Sequence, residues 1–302
     1  MFFYMLRIAC VLRLLMSCLP LCCISLSASA QIDVISQQPL AAKNIMIVDL
    51  QSNKVLQAEN AEQVRPIASV SKLMTALVVL DAKQSLKEKI SVDVSQSKIM
   101  RNVHSRIRIG SKVTRENMMF MTLIASENRA ATSLAHHYPG GFTAFVKAMN
   151  AKAKSLGMIH THFEEPSGLS PDNVSSAHDL ILLLKASRQY PDLLRISSMP
   201  KRHVIFSKPR YKLDFHNTNK LVAKGDWDIS LTKTGYTSKA GHCLVMIANM
   251  NHRQVAFVVL GAFGKYTHLA DANRFKRWLE TNKVSTVPAD ALKHKYLEQD
   301  DD

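Results

Sequence analysis

Between residues 68 and 82 the chain reads ASVSKLMTALVVLDA, and this stretch restricts the fold more than any other. Its spacing is helical, and Leu73, Met74, Ala76, Leu77, Val78, Val79 and Leu80 leave almost no polar face. A helix apolar nearly all round is central and buried, so other elements must cover it on every side. Pro66 lies just upstream, where the start of a helix tolerates it. Ser69 and Lys72 stand at that start, three residues apart and therefore on one face a turn apart. They are either part of an ordinary capped helix or a catalytic pair, and the rest of the chain has to decide between the two.

The covering elements are legible on both sides. Residues 44–60 read as a hairpin turned at Gln51-Ser52-Asn53. Residues 114–138 read as two short helices interrupted near Ser126, and 141–158 as an amphipathic helix closed by a glycine. Residues 175–198 read as one helix capped at Ser175 or Ser176, with Asp179 in its first turn. The period then changes. WDISLTKTGY, HCLVMIANMN and RQVAFVVLGAF are strand-like runs with turns at 237–241 and 250–253, followed by a last helix at about 267–282. Strands at both ends and helices between predict an α+β fold, with one antiparallel sheet assembled from both chain ends and flanked by helices. A mainly helical subdomain, about 83–200, is inserted in it, and the seam between the two is a natural cleft.

The first thirty of the 302 residues belong to another class. Arg7 and Arg13, no acidic residue, an apolar run from Leu14 to Leu26 and then Ala28-Ser29-Ala30 make the layout of a secretory signal peptide cleaved after Ala30. The apolar run is shorter than the ~20 residues of a membrane span. The expected division is a signal peptide at 1–30, one catalytic domain at 31–282 and a polar tail at 283–302. Cys10, Cys18, Cys22 and Cys23 leave with the signal, and the remaining Cys243 sits in an apolar run as a small core residue. Of 39 basic residues the signal removes two, so 37 face 24 acidic ones. That excess favours a polyanionic neighbour. Export and the absence of an aromatic-basic motif speak against nucleic acid and leave anionic wall or surface polymers. The densest basic stretch, KRHVIFSKPRYK (201–212), reads equally as a solvated hairpin face or as a binding surface.

Three short motifs carry chemistry. A serine hydroxyl needs a base within hydrogen-bond reach, and Lys72 is in reach of Ser69. An ordinary lysine, with a pKa of about 10.4, is protonated and useless as a base. Burial along the apolar helix, or a second cation, would lower that value. LTKTGYTSKAG supplies the cation, Lys233, beside Thr234, whose hydroxyl suits a carboxylate. Gly235 lets an extended substrate approach the strand closely. ASENRAA places Ser126 and Asn128 at the break in the helical block, suited to relaying a proton and to holding an amide. His160, His162, Glu164 and Glu165 read as a solvated loop, not as a metal site.

Taken in order, Ser69-x-x-Lys72, Ser126-x-Asn128 and Lys233-Thr234-Gly235 resemble the motif set of the penicillin-recognising serine hydrolases. RPIASVSKLMTAL, LIASENRAA, NTNKL and KTGYTSKAGHCLV are similar to the low-molecular-mass D-alanyl-D-alanine peptidases of bacterial cell-wall metabolism, over roughly 42–280. The resemblance implies that Ser69 is acylated by the penultimate D-alanine and Lys72 takes its proton. It further implies that Ser126 and Asn128 serve proton transfer and positioning, and that Lys233 and Thr234 hold the neighbouring carboxylate. The N–H groups of Ser69 and Tyr236 would form the oxyanion hole, with no metal or organic cofactor. It also implies a periplasmic enzyme inhibited covalently by β-lactams.

Asn128-Arg129-Ala130 and Pro166-Ser167-Gly168-Leu169-Ser170 resemble the endopeptidase branch, the penicillin-binding protein seven type, which cuts peptidoglycan peptide crosslinks. The roughly twenty residues after the last helix leave no expected room for the extra domain and anchor of the carboxypeptidases. The alternatives are a carboxypeptidase with the same site, a non-catalytic penicillin- or wall-binding protein, and a β-lactamase. The last would need a deacylating glutamate in a context this sequence does not show.

Overall fold

The computed structural model describes residues 37–296; the expected signal peptide and its cleavage site lie outside the described residues. Strand β1 (Asn44–Asp49) turns into β2 (Val55–Glu59), and the Asp49 carboxylate fastens the turn by accepting from the N–H groups of Gln51 and Ser52 at 2.9 and 3.2 Å. A two-residue strand β3 (Arg65–Pro66) then leads into a 3-10 turn, Ala68–Ser71, which runs on as α1 (Lys72–Asp81). A small hairpin of β4 (Lys89–Ser91) and β5 (Lys112–Thr114) brackets the entry to the helical block.

That block holds α2 (Arg115–Ile124), α3 (Asn128–His136) and α4 (Gly141–Ser155). Next come β6 (Val174–Ser175), which pairs with β3, and then α5 (Ala177–Ser187) and α6 (Pro191–Ser197). Thr114 and Ser176 cap α2 and α5, each side chain accepting from the N–H three residues on at 3.2 and 3.1 Å. Such a cap contributes about 1 kcal/mol. The single helix expected over 175–198 is two. Pro191 forces Tyr190 out of the helical region, to φ −114° and ψ 90°, so the chain breaks there and restarts with proline in the first turn.

The basic stretch after α6 is a hairpin of β7 (Lys201–Phe206) and β8 (Tyr211–His216), with exposed and buried residues alternating. Three long strands follow, β9 (Asp228–Thr237), β10 (Gly241–Met250) and β11 (Arg253–Ala262), then α7 (Thr267–Thr281). The sheet runs β2-β1-β11-β10-β9, antiparallel throughout, so both chain ends build it and β9 is an edge. Part of the expected polar tail is ordered as α8 (Ala289–Tyr296).

The sheet is buried on both faces, which explains why its strands read as unbroken apolar runs. On β11, Ala256, Val258 and Leu260 join the core shared with the helical block, while Val255, Phe257 and Val259 join Phe275 and Trp278 of α7. A one-residue slip would exchange the two sets, so the register is strongly specified. Helix α1 lies where its composition demands, covered by α2, α3, α4 and α5. Leu73, Met74, Leu77, Val78 and Val79 are all at most 3% exposed, each worth roughly 1.5–3 kcal/mol of burial. This packing fixes the amino end of α1 against the edge strand.

Candidate active site

The site forms where three elements meet: the turn before α1, the break between α2 and α3, and strand β9. Their side chains line a cleft of about 540 Å³ that includes Ser69, Ser126, Thr234, Gly235 and Tyr236. Lys72 is fully buried at the cleft floor. Its Nζ donates to Ser69 Oγ and to Asn128 Oδ1, both at 2.8 Å, and to the carbonyl of Ser167. Burial pushes the amine down to about 7, against the opposing pull of Glu165 and Glu127. Near neutrality, then, about half of the molecules carry a neutral amine beside the serine.

Lys233 is equally buried, and its Nζ donates to Ser126 Oγ at 3.0 Å and to the Thr234 carbonyl at 2.6 Å. Burial, with the nearby charge of Lys72, holds it well below the ordinary lysine value. Alternation along an extended strand sends Lys233 and Thr234 to opposite faces, yet both serve the cleft. The long lysine chain reaches Ser126, while the Thr234 hydroxyl donates to Thr218 Oγ1 at 2.6 Å. Thr218 is tied in turn to the end of α2 through its N–H to the Ile124 carbonyl at 2.8 Å.

The backbone is shaped for close approach. A Cβ on Gly235 would stand 2.9 Å from the Ile67 carbonyl and 3.1 Å from the Ser69 nitrogen, so a side chain there would push the edge strand off the serine. Ala68 and Ser126 both adopt left-handed backbone, with φ of 47° and 58°. Such conformations cost of order 1 kcal/mol or more and persist only where the surroundings enforce them. Tyr236 is exposed at the cleft rim, its ring stacked on His242 at 4.2 Å, and His242 stacks on His268 at 5.1 Å.

The eight residues singled out from the sequence therefore stand together. What sequence reasoning missed is the support behind them. The loop 165–170 passes beneath the serine, and Gly168, at φ +79°, lies so close that a Cβ would fall 1.9 Å from the Ala68 carbonyl. Glu165 shapes that loop, accepting from the N–H and hydroxyl of Ser167 at 2.6 Å and from the N–H groups of Leu169 and Ser170 at 2.7 and 3.3 Å. Four donors use up its acceptor sites, so it has no lone pair left to activate a water. Asn173 locks the loop to the helix start by donating to Ser71 Oγ at 2.9 Å and to the Glu165 carbonyl at 2.7 Å. The Pro-Ser-Gly-Leu-Ser string is the one sequence signal for this support, and by itself it marks only the branch of the family it resembles.

Arg129 likewise turns away from the cleft and holds the preceding loop, donating to the carbonyls of Ile107 and Val103 at 2.6 and 3.2 Å. The His160 and His162 rings face different carboxylates, Glu62 and Glu164, while Glu165 is engaged in its own loop.

Comparison with known proteins agrees with this geometry. The sequence model of the D-alanyl-D-alanine carboxypeptidase family matches residues 31–264. The chain is 54% identical over 281 residues to a D-alanyl-D-alanine endopeptidase of Escherichia coli, covering 93% of this chain and 91% of that protein. It is 54% identical over 255 residues to another from Pseudomonas aeruginosa, covering 84% and 82%. Among solved structures, penicillin-binding protein D2 from Listeria monocytogenes, in its cefotaxime-bound form, is similar with a TM-score of 0.69 at 28% identity, covering 80% of this chain and 98% of that one. The chain belongs to the D-alanyl-D-alanine carboxypeptidase family.

Proposed function

We propose that the chain is a serine D-alanyl-D-alanine endopeptidase that hydrolyses D-alanyl–diaminopimelyl crosslinks of peptidoglycan, and that β-lactams inhibit it by acylating the same oxygen. The observation that carries this reading is the buried Lys72 amine, at about 7, hydrogen-bonded to Ser69 Oγ. Neutral Lys72 takes the hydroxyl proton as Oγ bonds to the D-alanine carbonyl carbon. The N–H groups of Ser69 and Tyr236 receive the oxyanion, and the close approach allowed by Gly235 supports that pairing. Ser126 passes a proton to the departing nitrogen while Asn128 positions the substrate amide. Water then attacks the ester and restores the serine.

The carboxylate next to the leaving nitrogen is held by Lys233 and Thr234. An anion arriving there favours the ammonium form that burial opposes, so binding draws a proton onto Lys233. Two relatives at 54% identity carry the endopeptidase name, which supports crosslink cleavage over carboxypeptidase action. Residues 1–30 export the chain and are cut after Ala30, which sets the enzyme in the periplasm, where its basic excess suits the anionic polymers of the wall.

The deciding assay compares a crosslinked muropeptide dimer with the monomeric pentapeptide at equal concentration. Endopeptidase action predicts the higher kcat/KM on the dimer. Preferential release of free D-alanine from the monomer makes the enzyme a carboxypeptidase.

A further inference from the structure

The cleft at Ser69 continues past Tyr236 into a second, larger groove of about 790 Å³, which shares Tyr236, His242 and Lys265 with it. Every side chain lining this groove that carries charge near neutrality is basic, with Lys239 and Lys265 exposed on its rim and no aspartate or glutamate among its lining residues. Neither lysine makes an ion pair with a carboxylate among the described residues. A concave surface of one sign attracts and concentrates the opposite charge.

Its far wall is built by α8. Lys295, buried, donates to the Leu40 carbonyl at 2.9 Å and to Glu59 Oε2 at 2.6 Å, which fastens the helix to the sheet at the end of β2. The connecting segment is held as well, since Gln38 and Ser285 exchange two hydrogen bonds of 2.7 Å. His294 is thereby laid flat on Phe263, ring centroids 3.4 Å apart. The family match ends at residue 264, so Lys265 and His294, which close the groove, lie beyond it.

Direction along the edge strand says what enters. A substrate added to β9, with its leaving-group carboxylate at Lys233 and its carbonyl over Ser69, runs on past Tyr236 toward Ser238 and Lys239. Because the groove opens from the cleft at Tyr236, it lies on the acyl side of such a substrate, where the residues preceding the attacked D-alanine run. We propose that this groove is a subsite for a free side-chain carboxylate on the residue preceding the attacked D-alanine, with Lys239 and Lys265 as its cationic contacts and α8, through His294, as its wall. The inference rests on the peptidase reading given above.

The test uses the mature protein and two synthetic donors ending in D-Ala-D-Ala, identical except that the preceding residue carries a side-chain carboxylate or its carboxamide. Wild type should favour the carboxylate donor in kcat/KM by roughly tenfold at low salt, mostly through KM, and lose much of that preference as sodium chloride is raised. The double variant Lys239→Gln, Lys265→Gln should bring the ratio below about twofold. An unchanged ratio in that variant overturns the subsite. Wild type that penicillin acylates but that ignores the carboxylate overturns the subsite and spares the serine chemistry. Protein that neither takes up penicillin nor releases D-alanine overturns both.

Discussion

Replacing Glu127 by glutamine removes one of the two carboxylates that help Lys72 keep its proton. Burial drives the Lys72 amine down to about 7, and Glu165, then Glu127, act against that shift. Glutamine preserves the volume and the bond from Ser105 Oγ, 2.9 Å from the Glu127 carboxylate, while cancelling the charge. The Lys72 value must then fall. In wild type, the neutral fraction is ~10% at pH 6 and ~90% at pH 8, so acylation by penicillin should climb roughly tenfold between them. Glu127 makes no direct bond to the amine and acts on it less than Glu165 does, so its removal lowers the Lys72 value further without abolishing its proton-holding. Glu127→Gln should therefore acylate faster than wild type at pH 6, by at most about tenfold because ~10% of the amine is already neutral there, and at nearly the wild-type rate at pH 9. The assay is single-turnover acylation by a fluorescent penicillin from pH 5.5 to 9.5 at fixed ionic strength, with ionic strength held by an inert salt. A wild-type profile flat across neutrality, or a variant whose limb moves to higher pH, would refute Lys72 as the base.

Two further outcomes follow from the same groups. An unfolded lysine holds its proton to 10.5 whereas folded Lys72 releases it at about 7, so stability rises with pH across that window; in Lys72→Met, which should not acylate, the rise between pH 7 and 10 should shrink by up to roughly 3–4 kcal/mol, read from urea denaturation. Gly168→Ala should destabilise by about 3 kcal/mol or more and slow acylation at least a hundredfold, because its Cβ collides with the Ala68 carbonyl, while Gly225→Ala, with open space around it, should change neither; a Gly168→Ala protein that acylates normally would deny the loop its place under the serine.

The parts of the fold that follow from side-chain periodicity are legible in the sequence. The all-apolar stretch 68–82 had to be a covered helix, and the long runs in β9, β10 and β11 had to be strands. Cys243 was readable as core for the same reason, and it is fully buried, its thiol pushed up to about 11. The break at Pro191 was missed because the apolar spacing of α5 continues into α6, and only the local steric rule for the residue before proline interrupts it. α8 is not legible because its sequence is polar and its anchorage depends on long-range contacts, Lys295 with Leu40 and Glu59 and His294 with Phe263. No local pattern encodes a contact between residues so far apart in the chain.

The candidate site divides along the same line. Ser69, Lys72, Ser126, Asn128, Lys233 and Thr234 are visible because their types suit the chemistry and their order along the chain resembles a known motif set. Their support is not, because it consists of backbone geometry: left-handed φ at Ala68 and Ser126, and two glycines admitted only for want of a Cβ. That geometry has a chemical consequence. It brings two buried lysines together where the nearby carboxylates, Glu165 and Glu127, are not hydrogen-bonded to either amine, Glu165 being consumed by its own loop. A direct carboxylate partner would restore an ordinary lysine pKa and leave Lys72 without basic character at neutral pH. Glu165 is thus held close enough to moderate the amine and kept from pairing with it by the four donors it already satisfies. In the proposed reaction the carboxylate that pairs with the second lysine is the one the substrate brings, so on that reading the cleft becomes electrostatically complete only when it is occupied.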